Sequence, residues 1–297
     1  MEIKALIASR NLVSQGLSGS IDDYPEGILI PVYKPYRWTS ADVIRKLKWA
    51  ACRHFAKKNL KVGHAGTLDP LATGVLIVCI GKATRLAETI QKEDKEYLAG
   101  ISFGATTPSY DLEKAIDRMY PTDQVNEEAV RLALKGFIGE QEQVAPLFSA
   151  KSVDGVRAYE LARKQYRDAR KEKTDVMEDF DHSVAEMLHR QIITIHSAEL
   201  ERFLPEGLPA SETSPDGLRP NPRINVVDTS DLHLPHADIR ITCSKGTYIR
   251  AFARDLGEAL GTGAHLDSLC RTRSGGFSVE DSLTVTEAAE LLKTQDQ

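Results

Sequence analysis

Residues 74–81 read GVLIVCIG, the longest uninterrupted apolar run in this chain of 297 residues. Six consecutive apolar residues between two glycines have the length of a strand and no polar position, which predicts a strand buried inside the fold. The run is far too short to cross a bilayer, so we expect no membrane span. Other elements of the chain must cover this strand.

Apolar spacing elsewhere predicts further strands and helices. Strands are expected at residues 28–33, 95–104 and 239–243, and helices at about 40–57, at 124–138 and from 249 to a stop at Gly261. Ser40 or Thr39 is expected to cap the first helix. Because strands and helices alternate without regular βαβ spacing, we predict an α+β fold with a mixed, mostly antiparallel sheet flanked by helices.

Composition indicates an ordinary globular protein, with 41% hydrophobic and 27% charged residues. Residues 1–25 are expected to form an N-terminal extension without a secretory signal, which favours a cytoplasmic location. Residues 26–297 are expected to form the main domain, with an acidic, loop-rich insertion at about 165–237 that contains one strand-like piece, RQIITIHSAEL. The four cysteines lie far apart without a CxxC pair, which favours reduced thiols over a zinc site.

Charge is distributed unevenly along the chain. The formal net charge is −5, yet residues 34–61 contain nine lysines or arginines and a single acid, Asp42. A basic surface on a mildly acidic protein favours one specific polyanion over indiscriminate binding of nucleic acid. The alternative is that these charges are a solvated helix face.

Residues 63–74, GHAGTLDPLATG, hold a lone carboxylate, Asp69, in a glycine-containing loop. Pro70 biases Asp69 toward an extended backbone, and the glycines let a bulky partner approach the chain closely. Such a carboxylate can act as a nucleophile or a base if a nearby cation keeps it ionised. Two alternatives remain open: Asp69 caps a turn, or it binds a metal with His64, although nothing nearby completes a set of ligands.

Several segments together resemble the tRNA pseudouridine synthase B (TruB) family. GHAGTLDPLATGVL is similar to the catalytic motif of this family, Gly-His-x-Gly-x-Leu-Asp-Pro-x-Ala-x-Gly-x-Leu. Four more segments agree in order over about residues 26–290: ILIPVYKPYRWTS, KEYLAGISFGATTPSYD, PLFSAKSVDGVRAYELAR and CSKGTYIRAFARDLGEALGTGAHLDSLCRTRSG. The resemblance implies a pseudouridine-synthase fold, here without a C-terminal PUA domain because the chain ends soon after residue 290.

The family isomerises uridine 55 in the T loop of tRNA to pseudouridine and needs neither cofactor nor metal. By resemblance, Asp69 is the nucleophile, attacking either C1′ of the ribose or C6 of the base of a flipped uridine. His64 occupies the gap that the flipped nucleotide leaves, and Tyr97 stacks on the base. Arg250 pairs with the catalytic carboxylate and keeps it charged.

The resemblance and the basic segment together suggest contacts to RNA. Phosphate contacts are expected from Lys34, Lys245, Arg271 and the basic helix face of residues 45–58. Tyr248 is expected to pack beside the target base, and Leu269, from the Leu-x-Arg ending of the family motif, to bind substrate. In one departure from the family pattern, Lys151 stands one position early and Ser152 occupies the place of the lysine.

The expected partner is the T stem-loop of tRNA, bound by a monomer without guide RNA. Two rival readings stay open. One is the related guide-RNA-dependent synthase subunit, which the expected lack of a PUA domain disfavours. The other is an RNA chaperone for which isomerisation is incidental, and a chaperone would keep its effect in Asp69→Asn.

Overall fold

The computed structural model describes residues 3–146, 152–153, 156–157, 190–207 and 218–293. The helices in these ranges are α1 Arg10–Gln15, α2 Ser40–His54, α3 Ala87–Lys92, α4 Glu127–Lys135, α5 Ile249–Ala259 and α6 Val285–Leu291. The strands are β1 Leu6–Ile7, β2 Ile28–Lys34, β3 Val62–Ala65, β4 Thr73–Ile80, β5 Lys95–Phe103, β6 Ala105–Thr106, β7 Arg118–Met119, β8 Gly139–Val144, β9 Ser152–Val153, β10 Val156–Arg157, β11 Arg190–Leu204, β12 His236–Cys243, β13 Ala264–Ser274, β14 Phe277–Ser278 and β15 Leu283–Thr284.

Within the described ranges, one sheet contains eleven of these strands. Eight follow the order β1-β2-β4-β13-β5-β12-β11-β8, and β3, β14 and β15 pair with β4, β13 and β2. The pairs β1/β2, β4/β13 and β2/β15 are parallel, and the other pairs in the sheet are antiparallel. This confirms the predicted mixed, mostly antiparallel sheet.

The predicted buried strand is confirmed as β4, in the interior of the sheet. Its side chains alternate between two hydrophobic clusters, with Leu76 and Val78 in one and Val75 and Ile77 in the other. Both clusters exclude water from β4, which explains why the run has no polar position. One cluster is closed by α2, whose first turn carries a capping box in which Thr39 and Asp42 exchange hydrogen bonds.

The N-terminal segment, predicted as an extension over residues 1–25, packs against the rest of the fold where the structure describes it. β1 pairs in parallel with β2, and Ala8 and Leu17 are buried in the same cluster as α2. The short apolar patch in this segment is too small to fold alone, but it completes the sheet edge.

The strand-like piece predicted within the insertion at 165–237 is confirmed as a strand. Residues 190–204 form β11, which pairs with β8 on one side and β12 on the other. Its sequence lacks clean alternation because a bulge between Ile195 and Ser197 shifts the side chains to the other face. Residues 158–189 and 208–217, and the position of Lys151, lie outside the described residues, and the side chain of Ser152 is likewise not described.

A search of the described residues for a helix both long and apolar enough to span a membrane found none.

Candidate active site

Asp69 lies in the loop between β3 and β4, and buried groups on neighbouring elements fix this loop. The Ser40 hydroxyl, in the first turn of α2, accepts from the Leu68 amide at 3.0 Å and lies 3.2 Å from the Leu68 carbonyl. Lys34 Nζ, at the end of β2, donates to the Pro70 carbonyl at 3.3 Å. The backbone is thus held on both sides of Asp69, so its carboxylate has a defined place.

Arg271 of β13 fastens the same loop from the other side. Its buried guanidinium donates to the carbonyls of Val75, Gly66 and Thr67 at 2.8, 3.1 and 3.4 Å. β13 approaches β4 so closely at Gly74 that an added Cβ would lie 2.2 Å from the Arg271 carbonyl oxygen, and Gly74 has φ +98°. Glycine at position 74 is therefore required by both close approach and backbone angle.

The carboxylate of Asp69 forms a two-pronged ion pair with Arg250 of α5. Arg250 Nε lies 2.9 Å from Asp69 Oδ2, and Nη2 lies 3.3 Å from Oδ1. The Arg250 side chain is 5% exposed, whereas that of Asp69 is 40% exposed. The buried cation therefore holds the carboxylate facing solvent, where it can contact a ligand.

A second carboxylate, Asp111, lies behind this pair. Its Oδ2 is 3.8 Å from Arg250 Nε, and its Oδ1 accepts from the Ser109 hydroxyl at 2.6 Å. Burial raises the pKa of Asp111, against the opposing effects of Arg250 and Ser109. Burial by itself would lower the pKa of Arg250, but Asp69 and Asp111 more than offset it and raise that pKa. The guanidinium thus stays charged in a nearly dry setting.

Tyr97 and His64 border the site from β5 and β3. Tyr97 is half-buried and lies opposite Arg271 in the β5/β13 register. Burial raises the pKa of its phenol, and the charge of Asp69 acts in the same direction, so the hydroxyl is protonated at neutral pH. Burial and the charge of Arg271 lower the pKa of His64. Its Nδ1 is buried and has no hydrogen-bond partner among the described residues.

A pocket opens beside the Asp69–Arg250 pair. Its lining combines charged and apolar side chains from four segments: Asp69, Leu71, Ala72, Asp111, Arg250, Leu266, Asp267, Ser268 and Leu269. Leu269 is partly exposed, and its carbonyl accepts from the Thr73 hydroxyl at 3.3 Å. The structure therefore places the predicted Leu269, Asp69 and Arg250 around one opening.

Two of the expected phosphate contacts are wrong. Lys34 is fully buried, and its Nζ donates to the carbonyls of Pro35, Trp38 and Pro70. Arg271 is 2% exposed, and its guanidinium likewise donates its hydrogen bonds to backbone carbonyls. Burial lowers the pKa of Lys34 to about 7, against the opposing charge of Asp69. Both cations hold the chain in place and cannot reach a phosphate.

The remaining expected contacts lie at the surface. Lys245 is exposed in the turn before α5. Tyr248, partly exposed, precedes that helix, and its backbone exchanges two hydrogen bonds with the Gln143 side chain, at 2.8 and 3.1 Å. The basic side chains of α2, among them Arg45, Lys48 and Arg53, occupy its outer face.

Sequence reasoning missed Asp111 and Asp267. Asp111 ends a segment already noted for its resemblance, so a closer reading could have found it. Asp267 gave no signal, because its role depends on a distant residue: His236 is fully buried between Asp267 and Asp238, at 2.6 and 3.0 Å. Ser102 also donates to Asp267.

Comparisons with known proteins agree with this geometry. The family model described as "TruB family pseudouridylate synthase (N terminal domain)" matches residues 53–198, and the "tRNA pseudouridylate synthase B C-terminal domain" matches residues 250–297. A tRNA pseudouridine synthase B of Phocaeicola vulgatus is 42% identical over 274 residues, which cover 92% of this chain and 97% of that protein. The chain belongs to the TruB family of pseudouridine synthases. A second TruB relative, from Bacteroides fragilis, is 43% identical over 277 residues, with the same coverage.

Solved structures support the fold. A Cbf5-Nop10-Gar1 complex contains a chain that is 24% identical, with a TM-score of 0.53, matched over 92% of this TruB chain. A chain of an H/ACA RNP bound to a substrate RNA containing 2'-deoxyuridine is 23% identical, with a TM-score of 0.51. This chain spans 61% and 51% of the lengths of those two chains. The likeness confirms the pseudouridine-synthase fold.

Proposed function

We propose that this protein converts uridine 55 in the T loop of tRNA to pseudouridine, with Asp69 as the nucleophile. The observation that carries this proposal is the ion pair of Asp69 with Arg250, which sets a half-exposed carboxylate on a buried guanidinium at the mouth of a pocket. A carboxylate needed only to cap a turn does not require a buried counter-charge from a distant helix. The TruB relatives carry the name of this activity.

The reaction is an isomerisation, in which the bond between N1 and C1′ breaks and a bond between C5 and C1′ forms. Asp69 attacks C1′ of the ribose or C6 of the base, and the two hydrogen bonds from Arg250 hold its carboxylate in place. The detached uracil turns within the pocket and rejoins the ribose through C5. C5 loses a proton and N1 gains one, so the reaction consumes no water, oxidant or reductant.

The target uridine must leave its stack before Asp69 can reach it, at a cost of a few kcal/mol. His64, with its lowered pKa, is a neutral imidazole and can fill the gap in the RNA loop without repelling or attracting a phosphate. Tyr97 offers an aromatic face to the flipped base.

Binding of the T stem-loop relies on exposed cations. Lys245 and the basic face of α2 contact phosphates, while Tyr248 and Leu269 pack beside the base. We expect a monomer that acts in the cytoplasm on folded tRNA, with no guide RNA, cofactor or metal.

The test uses purified protein and an unmodified tRNA transcript that carries tritium at C5 of every uridine. Because only C5 of the isomerised uridine loses its hydrogen, the proposal predicts release of one tritium per tRNA to water. A tRNA with cytidine at position 55 should release none. Release from that transcript as well, or no release from either, would contradict the proposed site of reaction.

A further inference from the structure

A second basic surface lies at the opposite end of β4 from Asp69. It is an open groove with a volume of about 400 Å³. Three segments form its walls, and its lining residues are Ile21, Asp22, Tyr24, Pro25, Lys57, Asn59, Leu60, Lys61, Gly81, Lys82, Thr84 and Arg85. We call this surface the β4-end groove.

The charge of the β4-end groove is strongly positive. Lys57, Lys61, Lys82 and Arg85 line it and are exposed, and Asp22 is the single acid in the lining. Within the described part of the chain, none of the four cations has a carboxylate within 4 Å of its nitrogen atoms. On a chain whose net charge is −5, four such cations around one groove favour an anionic ligand.

The walls of the groove are held rigidly by their backbones. The Gly81 amide donates to the Lys61 carbonyl at 2.9 Å and joins two of the basic segments. The Thr84 hydroxyl donates to the Gly81 carbonyl at 2.8 Å and fixes the turn that carries Lys82 and Arg85. The backbone positions that carry the cations are therefore set before any ligand arrives, which lowers the entropic cost of binding.

Two elements, β4 and α2, extend from the active site toward the groove. β4 begins at Thr73, four residues after Asp69, and ends at Ile80, beside the groove, so the two ends lie roughly 23 Å apart. α2 covers a similar length of about 22 Å. It begins at Ser40, which holds the Asp69 loop, and Lys57 follows shortly after its end.

Exposed cations continue along α2 between these two ends. Arg45, Lys48 and Arg53 are exposed on α2, and Arg45 forms an ion pair with Asp42 at 2.8 Å. Arg53 stacks 4.7 Å from the ring centroid of the exposed Trp49. A polyanion seated at Asp69 thus meets positive charge along α2 as far as the groove.

We propose that the β4-end groove binds phosphates of the tRNA backbone outside the T loop. Because the groove lies at the far end of β4, a strand roughly 23 Å long, it is beyond the reach of the flipped nucleotide and contacts another part of the same folded RNA. The groove makes the enzyme prefer whole tRNA over an isolated T stem-loop. This inference rests on the proposed function.

The test compares two RNAs, a full-length tRNA transcript and a 17-nucleotide T stem-loop (about the minimum for a closed stem), with wild-type protein and with Lys82→Gln/Arg85→Gln. Both side chains are exposed, so the substitutions leave the core intact. For full-length tRNA, we expect the variant to raise KM about tenfold without changing kcat. The slope of log binding constant against log salt should fall by about 1 for each lost phosphate contact. For the stem-loop, both values should stay within twofold of wild type.

A single variant, Lys82→Gln, is measured beside the double variant, and Lys135→Gln is its matched control. Lys135 is also an exposed lysine, but it ends α4, which packs on β11 at the other end of the sheet. An equal effect of both single variants, an equal loss on both RNAs, or no loss at all would overturn the groove proposal. If wild-type protein modifies neither RNA, the proposed function fails. The affinity of Lys82→Gln/Arg85→Gln for tRNA, compared with that of wild type, then still tests whether the groove binds RNA.

Discussion

Replacing Arg250 with methionine is expected to lower the free energy of unfolding by about 3 kcal/mol at pH 7. Breaking a buried ion pair costs about 3 to 5 kcal/mol because it leaves an uncompensated charge. Asp69 is 40% exposed and can rehydrate, which places the loss at the lower end. Asp111 has a side chain only 7% exposed and cannot rehydrate, so most of the penalty falls on it.

The pH dependence of this loss identifies Asp111 as its source. Burial raises the pKa of Asp111 already in the intact protein. Without Arg250, that pKa rises further, and the folded state holds a proton that the unfolded state releases above its ordinary pKa. Stability of Arg250→Met should therefore fall as pH rises from 5 to 7, relative to wild type.

Urea unfolding followed by circular dichroism and tryptophan fluorescence measures both effects. Adding Asp111→Asn to Arg250→Met removes the buried charge and should recover at least about 1 kcal/mol. Arg250→Lys keeps a charge but not the two-pronged geometry, so we expect partial stability with little activity. A loss below about 1 kcal/mol for Arg250→Met, or no recovery with Asp111→Asn, would refute the assignment.

Three further predictions concern residues around the site. The pKa of His236 is raised to about 9, because hydrogen bonds and charges of its two aspartates outweigh burial, which lowers it. His236→Gln should therefore lower the free energy of unfolding most below pH 6.5. The difference from wild type, measured by urea titration, should shrink as pH rises to 9, and a difference that is constant with pH would contradict the ion pair. Lys34→Met should leave the salt slope of tRNA binding unchanged, whereas Lys245→Gln should lower it by about 1; equal slopes in filter binding would contradict these placements. Gly74→Ala should lower the free energy of unfolding by about 3 kcal/mol, which is measured as a fall in the melting temperature. A fall as small as that of a surface substitution would contradict the close approach of β13.

The main architecture was accessible from sequence where apolar periodicity was strong. The buried strand of residues 75–80 and the helix over 40–54 follow directly from local pattern and capping chemistry. Most of β11 was predicted as a strand-like piece, but its place in the main sheet was not, because a bulge moves its apolar side chains from one face to the other midway. The N-terminal strand escaped detection because two residues carry no pattern of their own.

The site was partly accessible for a related reason. Asp69 lies in a local motif, and its pairing with Arg250 follows from resemblance over a separation of 181 residues. Lys34 was misassigned because sequence gives charge but not burial, and its three carbonyl partners come from two different segments. The link from His236 to Asp267 arises only when β12 and β13 flank β5, which no local spacing encodes.

Asp69 is proposed to perform the chemistry on uridine 55. Pseudouridine is mapped in an unmodified tRNA transcript by primer extension after carbodiimide treatment, with wild-type protein and with Asp69→Asn at equal RNA occupancy. We expect one stop in the T loop at position 55 with wild type and none with Asp69→Asn, although both bind tRNA. A stop of undiminished strength with Asp69→Asn, or a stop at a different uridine, would contradict it.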